Sequence, residues 1–511
     1  MSKTGRRRIG PVDTIWLNMD RPNNLMVITS LVFLESVPDW DEVRRIAQER
    51  FIDRYPVFSQ RPVTSAIPVG LPSWEYDPDF SLDRHLIHET LEAPGDDAAL
   101  QAHVERYLPH AFDRNHPLWE IHLIEGYGSG AVAFFRIHHA LADGIALTRV
   151  LLSLTDNGAS VDDDGPSEDV KASTTSGPVS LVSSGVSIAR GTVEQAARMT
   201  NPAELARTLH VGARTGKVVR DLLFIDNPPN VVSGTPGLHK RIVWTQPVPL
   251  GPLKTVGRLA GATLNDVLMS AVAGALYRYQ QERGAPPVDL VTMVPVNVRP
   301  LDKPLPRELG NQFALVFFTF PSGMEGRLAR LAETKRRMDW LKGSPESVLT
   351  FGLITAIGFS TPVLERYIVD FFANKAIGVT TNVMGPREPR TFAGVPVTGV
   401  LGWVPGSGTH TVGVCLFTYA GTVRVGFMVD VGVVPEPESL LADFEDELAA
   451  LVRLGRDRDL DREEAEAHAH RHRNPVSRSV SHTGHRPGTA ARRRKPAGVD
   501  SRDPGGGGPD Q

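Results

Sequence analysis

The sequence predicts an α/β protein built as two lobes, with a mixed sheet in each and a site between them. Three observations predict it. Strand-like and helix-like runs alternate from residue 11 to about 155, a second mixed block runs from roughly 240 to 455, and a stretch rich in Asp, Gly, Ser and Thr separates them. Strands and helices interleaved in two blocks favour helix-covered sheets around two cores, and clefts between such lobes commonly hold ligands. A chain of 511 residues is also too long for one ordinary core.

Each block has recognisable elements. Ala131 to Ile137 reads as a buried strand interrupted only by Arg136, and Ile145, Leu147, Val150, Leu151 and Leu154 then recur at helical spacing. Gly126, Gly128 and Gly130 precede that strand, which suits a turn and not a dinucleotide-binding loop. Residues 1–156 form the expected N-terminal lobe and residues 157–185 a linker. Residues 186–456 supply a helical connection, to about 222, and the C-terminal lobe. Within it Leu264 to Gln280 reads as a buried helix, with Asn265 and Asp266 in its first turn, and Val291 to Val298 as a strand. Thr411 to Thr418 and Thr422 to Val429 read as a hairpin around Tyr419-Ala420-Gly421, with Val423, Val425, Phe427 and Val429 facing inward. The uncharged run Ser347 to Leu364 sits at the lower edge of membrane-spanning length and contains Gly352, Gly358 and Pro362. It reads as a buried helix, the alternative being a helix that meets a membrane surface or lines a lipid tunnel. Residues 457–511, rich in Arg, His, Pro and Gly, are expected to be a disordered tail.

Composition narrows the function. At 41% hydrophobic and 22% charged the chain is globular in type, and a net charge of -4 without a recognition motif argues against nucleic acid. Cys415 is the only cysteine, so no intrachain disulfide forms, which fits a reducing compartment. Met1 to Arg8 is basic, but no apolar run follows, so no secretory signal is expected. Walker A and G-x-S-x-G sequences are missing, and Gly498-Val499-Asp500-Ser501, a carrier-domain lookalike, lies in the tail without a surrounding bundle.

The sharpest signal is His138-His139-Ala140-Leu141-Ala142-Asp143-Gly144, at the end of the buried strand. It puts imidazole and carboxylate on a strand-to-helix turn, where scaffolds often display chemistry. A general-base histidine activating a hydroxyl is the functional reading; a half-buried packing histidine and a metal ligand are the alternatives. No third ligand at metal-like spacing stands out.

This heptapeptide resembles the HHxxxDG signature of acyltransferases related to chloramphenicol acetyltransferase, which peptide-synthetase condensation domains share. Pro117-Leu118-Trp119-Glu120 is similar to the PLWE motif of the bacterial wax ester synthase/diacylglycerol acyltransferase family, and Asn265-Asp266 to its ND motif. The segments Asp13 to Pro22, Val294 to Arg299, Leu309 to Gln312 and Thr381 to Pro386 also resemble it, with Met384 where the family more often has Pro. The likeness covers about residues 11 to 450. It implies a chloramphenicol-acetyltransferase-like fold and transfer of a fatty acyl group from acyl-CoA to a lipid hydroxyl, diacylglycerol in preference to a long-chain alcohol. It implies acyl-CoA as co-substrate with no resident cofactor or metal. The expected setting is cytoplasmic, peripheral on the inner membrane face or on lipid droplets. By the resemblance, His139 is the base, a role suited to an imidazole titrating near working pH. His138 packs beside it, Asp143 holds the turn and Gly144 allows close approach. Asn265 is the candidate oxyanion donor, its plain alternative being a helix cap shared with Asp266. Pro117, Leu118, Trp119, Glu120 and Asp266 are candidates for the substrate pocket, packing being the alternative for Trp119 and Glu120. Asn297, Arg299 and Asn311 are weaker candidates. A lipid-binding member without catalysis, and condensation-type transfer, remain as alternative functions.

Overall fold

The computed structural model describes residues 6–65, 70–156, 225, 227–298, 305–344 and 346–473. The expected linker, the helical stretch to 222, Arg299 and the Gly498 to Ser501 segment lie outside the described residues. Residues up to Asp459 make one compact unit.

The elements that build the site begin with helix α1 (Pro11–Met19) and strand β1 (Val27–Leu34), followed by β2 (Leu86–Thr90), β3 (Trp119–Tyr127) and β4 (Gly130–His138). Helix α2 (Gly144–Ser153) closes the N-terminal half. The C-terminal half contributes β5 (Lys240–Trp244), α3 (Leu264–Glu282), β6 (Leu290–Asn297) and β7 (Phe313–Phe320). Helices α4 (Glu346–Ile357) and α5 (Pro362–Ala373) come next, then β8 (Thr380–Met384), β9 (Val395–Trp403), β10 (Val412–Tyr419), β11 (Thr422–Asp430) and α6 (Pro437–Arg473).

Both large sheets are mixed. The first has six strands in the order Thr391–Phe392, β9, β1, β4, β3, β2, all antiparallel except the parallel β2–β3 pair. The second runs β8, β10, β11, β5, with β8–β10 parallel and Val248–Pro249 adding to β11. The expected division near residue 156 therefore needs one amendment: β9 belongs to the C-terminal half in sequence but pairs with β1, Leu401 opposite Leu31. Neither half can complete its core alone.

Local sequence explains these elements. All nine residues of β4 are buried, as a central strand covered on both faces requires. Gly126, at the end of β3, and Gly128, in the β3–β4 turn, adopt positive φ, so the glycine string belongs to a turn, as expected. Helix α3 starts on a capping box: Thr263 accepts from the Asp266 backbone while the Asp266 carboxylate accepts from the Thr263 N–H. The β10–β11 hairpin buries Val423, Val425, Phe427 and Val429 to 1% exposure or less, each such side chain contributing about 1.5–3 kcal/mol.

Two expectations are corrected. The run Ser347 to Leu364 is not one buried helix but parts of α4 and α5, broken before Pro362, which starts the second helix. A Cβ at Gly358, in that break, would stand 2.3 Å from the Pro11 carbonyl oxygen, so glycine lets the turn sit on the start of α1. Much of the pair's outer face is exposed: Phe359 by 69%, Val363 by 81% and Tyr367 by 76%. The expected tail begins in helix, α6 continuing past 457 to Arg473, and residues 474–511 lie outside the described residues. Alanines and glutamates, both good helix formers, recur in the sequence of that last stretch of α6.

Phe427 packs edge-on against Phe444 in the second core. Phe427→Ala should lower unfolding stability by about 3–5 kcal/mol, read by denaturant titration; a loss under 1 kcal/mol would contradict the packing described.

Candidate active site

The main cavity lies between the two sheets and holds roughly 1670 Å³ of empty space, counting its open mouth. Ile137, Leu147 and Leu151 line it from the N-terminal half, and Met293, Leu315 and Phe417 from the C-terminal half. Two histidines reach its wall, His139 and His410. His410 has both nitrogens engaged, Nε2 with the Ala373 carbonyl and Nδ1 with the Ser407 N–H. His138, just behind the wall, is equally committed: its Nδ1 accepts from Ala140, so Nε2 carries the proton and donates to Asp20 at 3.1 Å.

His139 differs. Its Nδ1 donates to Asn311 Oδ1 at 2.9 Å, while Nε2 has no hydrogen bond among the described residues. The Asn311 amide is oriented by its other end, since Nδ2 donates to Asp13 Oδ1 at 2.7 Å and to the His139 carbonyl at 2.8 Å. The Asn311 backbone N–H also donates to Asp13 Oδ1. This chain fixes the tautomer that leaves the Nε2 lone pair available. Trp16 stacks on the ring, centroids 4.5 Å apart, and Phe313 lies at 5.4 Å. Burial pushes the His139 pKa down to about 4, so the ring is neutral at neutral pH, and burial pushes Asp13 up to about 6.

Helix α1, which carries Asp13 and Trp16, is strapped to α5. Asn18 donates to Glu365 at 3.1 Å, Arg366 donates to the Asn18 carbonyl at 3.0 Å, and Arg21 pairs with Asp370 at 2.6 Å.

Residues 9–268 match the wax ester synthase/diacylglycerol acyltransferase catalytic domain, and residues 309–452 match the C-terminal domain of the same enzymes. The chain belongs to the wax ester synthase/diacylglycerol acyltransferase family. It is 28% identical over 486 residues to a Mycobacterium tuberculosis protein bearing a diacylglycerol O-acyltransferase name, covering 88% of this chain and 98% of the relative. It is 26% identical to "Probable diacyglycerol O-acyltransferase tgs1" of the same species, over 78% of this chain and 86% of that one. The fold is shared with the wax ester synthase/diacylglycerol acyltransferase of Marinobacter aquaeolei VT8, with a TM-score of 0.61 and 20% identity over 88% of this chain and 99% of that one. It is shared also with the first condensation domain of the calcium-dependent antibiotic synthetase, with a TM-score of 0.55 and 17% identity over 89% and 97% of the two chains.

The family motifs occupy distinct places. Asp143 caps α2, accepting from Ala146 N–H at 2.8 Å, and its second oxygen accepts from Gln312 N–H at 2.9 Å, so it ties the turn to the residue beside Asn311. Gly144 lines the cavity, and a Cβ there would meet nothing within 4 Å; its value is open space and not a close protein contact. Asn265 does not reach the cavity wall. It accepts from Asn382, at 2.7 Å, and Asn382 is the residue that lines the cavity. Asp266 is spent in the α3 cap, so a substrate-pocket role for it is corrected.

The same correction applies to Pro117, Leu118, Trp119 and Glu120, none of which lines the cavity. Trp119 is fully buried, donates to the Phe58 carbonyl and stacks on His85. Glu120 pairs with buried Arg136, and the Leu118 carbonyl accepts from His138 N–H, so this family motif anchors the strand under the histidine pair. Asn297 lines the cavity. Sequence reading underrated Asn311 and gave no role to Asp13 and Trp16; their signal lay in the Leu309-Gly310-Asn311-Gln312 and Asp13 to Pro22 segments, but not their partnership. Among the described residues no group of His, Cys, Asp or Glu is arranged to hold a metal ion.

Asn311→Ala should lower kcat by about 10²–10⁴-fold, the usual worth of a positioned base, with the fold retained by circular dichroism. Asp13 loses its charge as pH falls through about 6, whereas His139 stays neutral down to about 4. The kcat/KM profile should accordingly fall below about pH 6, and Asp13→Asn should remove that limb; an identical limb in the variant would refute the assignment.

Proposed function

We propose that this acyltransferase moves a fatty acyl group from acyl-CoA to the free hydroxyl of diacylglycerol, giving triacylglycerol and CoA. The observation that carries this reading is the neutral His139, locked through Nδ1 and with Nε2 unengaged, at a large apolar cavity. His139 Nε2 takes the hydroxyl proton as the oxygen attacks the thioester carbonyl. The resulting imidazolium is balanced through Asn311 by Asp13. When the tetrahedral intermediate collapses, the C–S bond breaks and Nε2 returns the proton to the departing sulfur. Acyl-CoA is consumed as co-substrate, and the scheme calls on no resident cofactor. Asn382, held by Asn265 and lining the cavity, is the candidate donor to the developing oxyanion. The names of the mycobacterial relatives support diacylglycerol as acceptor.

Purified protein with palmitoyl-CoA should release CoA faster with dioleoylglycerol than with hexadecanol, and His139→Ala should abolish both. Preference for hexadecanol would make the enzyme a wax ester synthase. No release above the His139→Ala control would sink the catalytic reading in favour of a lipid-binding role, and transfer only from carrier-bound donors would favour condensation chemistry.

The acceptor lives in lipid, and we infer that the enzyme meets it peripherally, at the inner membrane face or on lipid droplets. Among the described residues no single helix is long and apolar enough to cross a membrane; Leu250–Ala260 with α3 passes only as a pair bent by 95°. The α4–α5 face offers Phe359, Val363, Leu364, Tyr367 and Phe371 to a lipid surface. Val363→Glu with Tyr367→Glu should cut co-flotation with phosphatidylglycerol vesicles severalfold; unchanged flotation would place the contact elsewhere.

A further inference from the structure

A second cavity, with about 640 Å³ of empty space counting its open side, lies beyond Trp16. Met293 and Leu315 form one side, and Leu353, Ile354, Val369 and Phe372 of α4 and α5 form the other. Polar lining is limited to Thr350, Ser407 and the Trp16 indole, and the Thr350 hydroxyl is spent on the Glu346 carbonyl within α4. Trp16, Met293, Leu315 and Ser407 line both cavities, so the two spaces share a wall, and Trp16 is the residue stacked on His139. The Trp16 Nε1–H is buried in that wall without a hydrogen-bond partner among the described residues.

The acyl-transfer reading brings two hydrocarbon tails to one imidazole in each turnover. Their reacting ends must meet while the tails diverge, which two apolar spaces on either side of Trp16 permit. The choice between donor and acceptor follows from where each substrate resides. Acyl-CoA carries a highly charged head and arrives from water. Diacylglycerol and long-chain alcohols are uncharged and reside in lipid. The second cavity is roofed by the helix pair with the exposed apolar face, and Leu353 belongs both to its lining and to that face, being 37% exposed.

We propose that this second cavity holds a hydrocarbon tail of the lipid acceptor, leaving the main cavity to the acyl chain of the donor. The assignment rests on the acyl-transfer reading and adds which space each chain occupies.

The test fills the cavity from its roof. Ile354→Trp and, nearer the surface, Leu353→Trp are compared with the unaltered enzyme for kcat/KM with hexadecanol against hexanol at fixed palmitoyl-CoA, and with palmitoyl-CoA against octanoyl-CoA at fixed hexanol. The hexadecanol-to-hexanol ratio should fall at least tenfold in a variant that melts like the parent, with the donor ratio within twofold of the parent's. An unmoved acceptor ratio in either folded variant overturns the proposal, and so does a donor ratio that moves in its place. An enzyme active on diacylglycerols alone is read the same way with dioleoylglycerol against dihexanoylglycerol. If the unaltered enzyme transfers acyl groups to neither alcohols nor diacylglycerols, the acyl-transfer reading itself fails, a result distinct from an active enzyme whose acceptor preference ignores both substitutions.

Discussion

Everything in the site depends on one carboxamide. Asn311 takes the proton-bearing side of His139, holds the His139 carbonyl, and donates twice to Asp13, so residues from three distant parts of the chain meet on one side chain. The bonds are buried, where a satisfied network is strong and a half-satisfied one expensive. Tautomer choice at the base and docking of the C-terminal half on the N-terminal half are thus the same structural event. The titrations also offset each other. His139, held below its ordinary pKa, binds fewer protons folded than unfolded between about pH 4 and 6.5, so its contribution to stability grows with pH across that window. Asp13, held above its ordinary value, binds more protons folded between 3.8 and about 6, so its contribution declines as pH rises.

The interlocked sheets serve that carboxamide. Strand β4 ends in the histidine pair and is buried along its whole length, and β9 completes the sheet from the other half. The network would be strained by any sliding between halves. Strand β9 resists it, pairing with β1 from Val397 to Trp403 with one register irregularity. Asp143 adds a second tie, through Gln312 N–H. The aspartate of the histidine motif therefore acts on the base at one remove, by placing the loop that carries Asn311.

What the sequence disclosed and what it hid follow a physical line. Period-2 and period-3.6 patterns are local, so β4, α2, α3 and the β10–β11 hairpin were legible from apolar spacing alone. The histidine pair was legible because its chemistry sits in seven contiguous residues. Asn311 and Asp13 were not, since 298 positions separate partners that meet only after both halves fold. The PLWE segment misled in the opposite direction: its likeness to the family reflects packing under the site, with Trp119 sealed against Phe51 and Phe58. The break at Gly358 and Pro362 was visible in sequence, but exposure of α4 and α5 was not, because apolar residues alone do not reveal whether a helix faces a core or a lipid.

Burial of the base also bears on which nucleophile is accepted. Water is far more abundant than any lipid alcohol, and a thioester beside an exposed imidazole would be hydrolysed. Here the ring is 7% exposed, with Trp16 stacked on it and Phe313 tilted beside it, and the cavity it meets is walled largely by aliphatic and aromatic side chains. A hydroxyl attached to a hydrocarbon tail is brought to the ring by a chain that apolar walls accept as readily as lipid does, whereas a water molecule gains nothing by entering them. The low pKa of His139 is the cost of this arrangement, since the desolvation that excludes water also disfavours the imidazolium. Asp13 reduces that cost only in the charged transition state, through Asn311, so the same burial that weakens the resting base concentrates its assistance on the step where a proton moves.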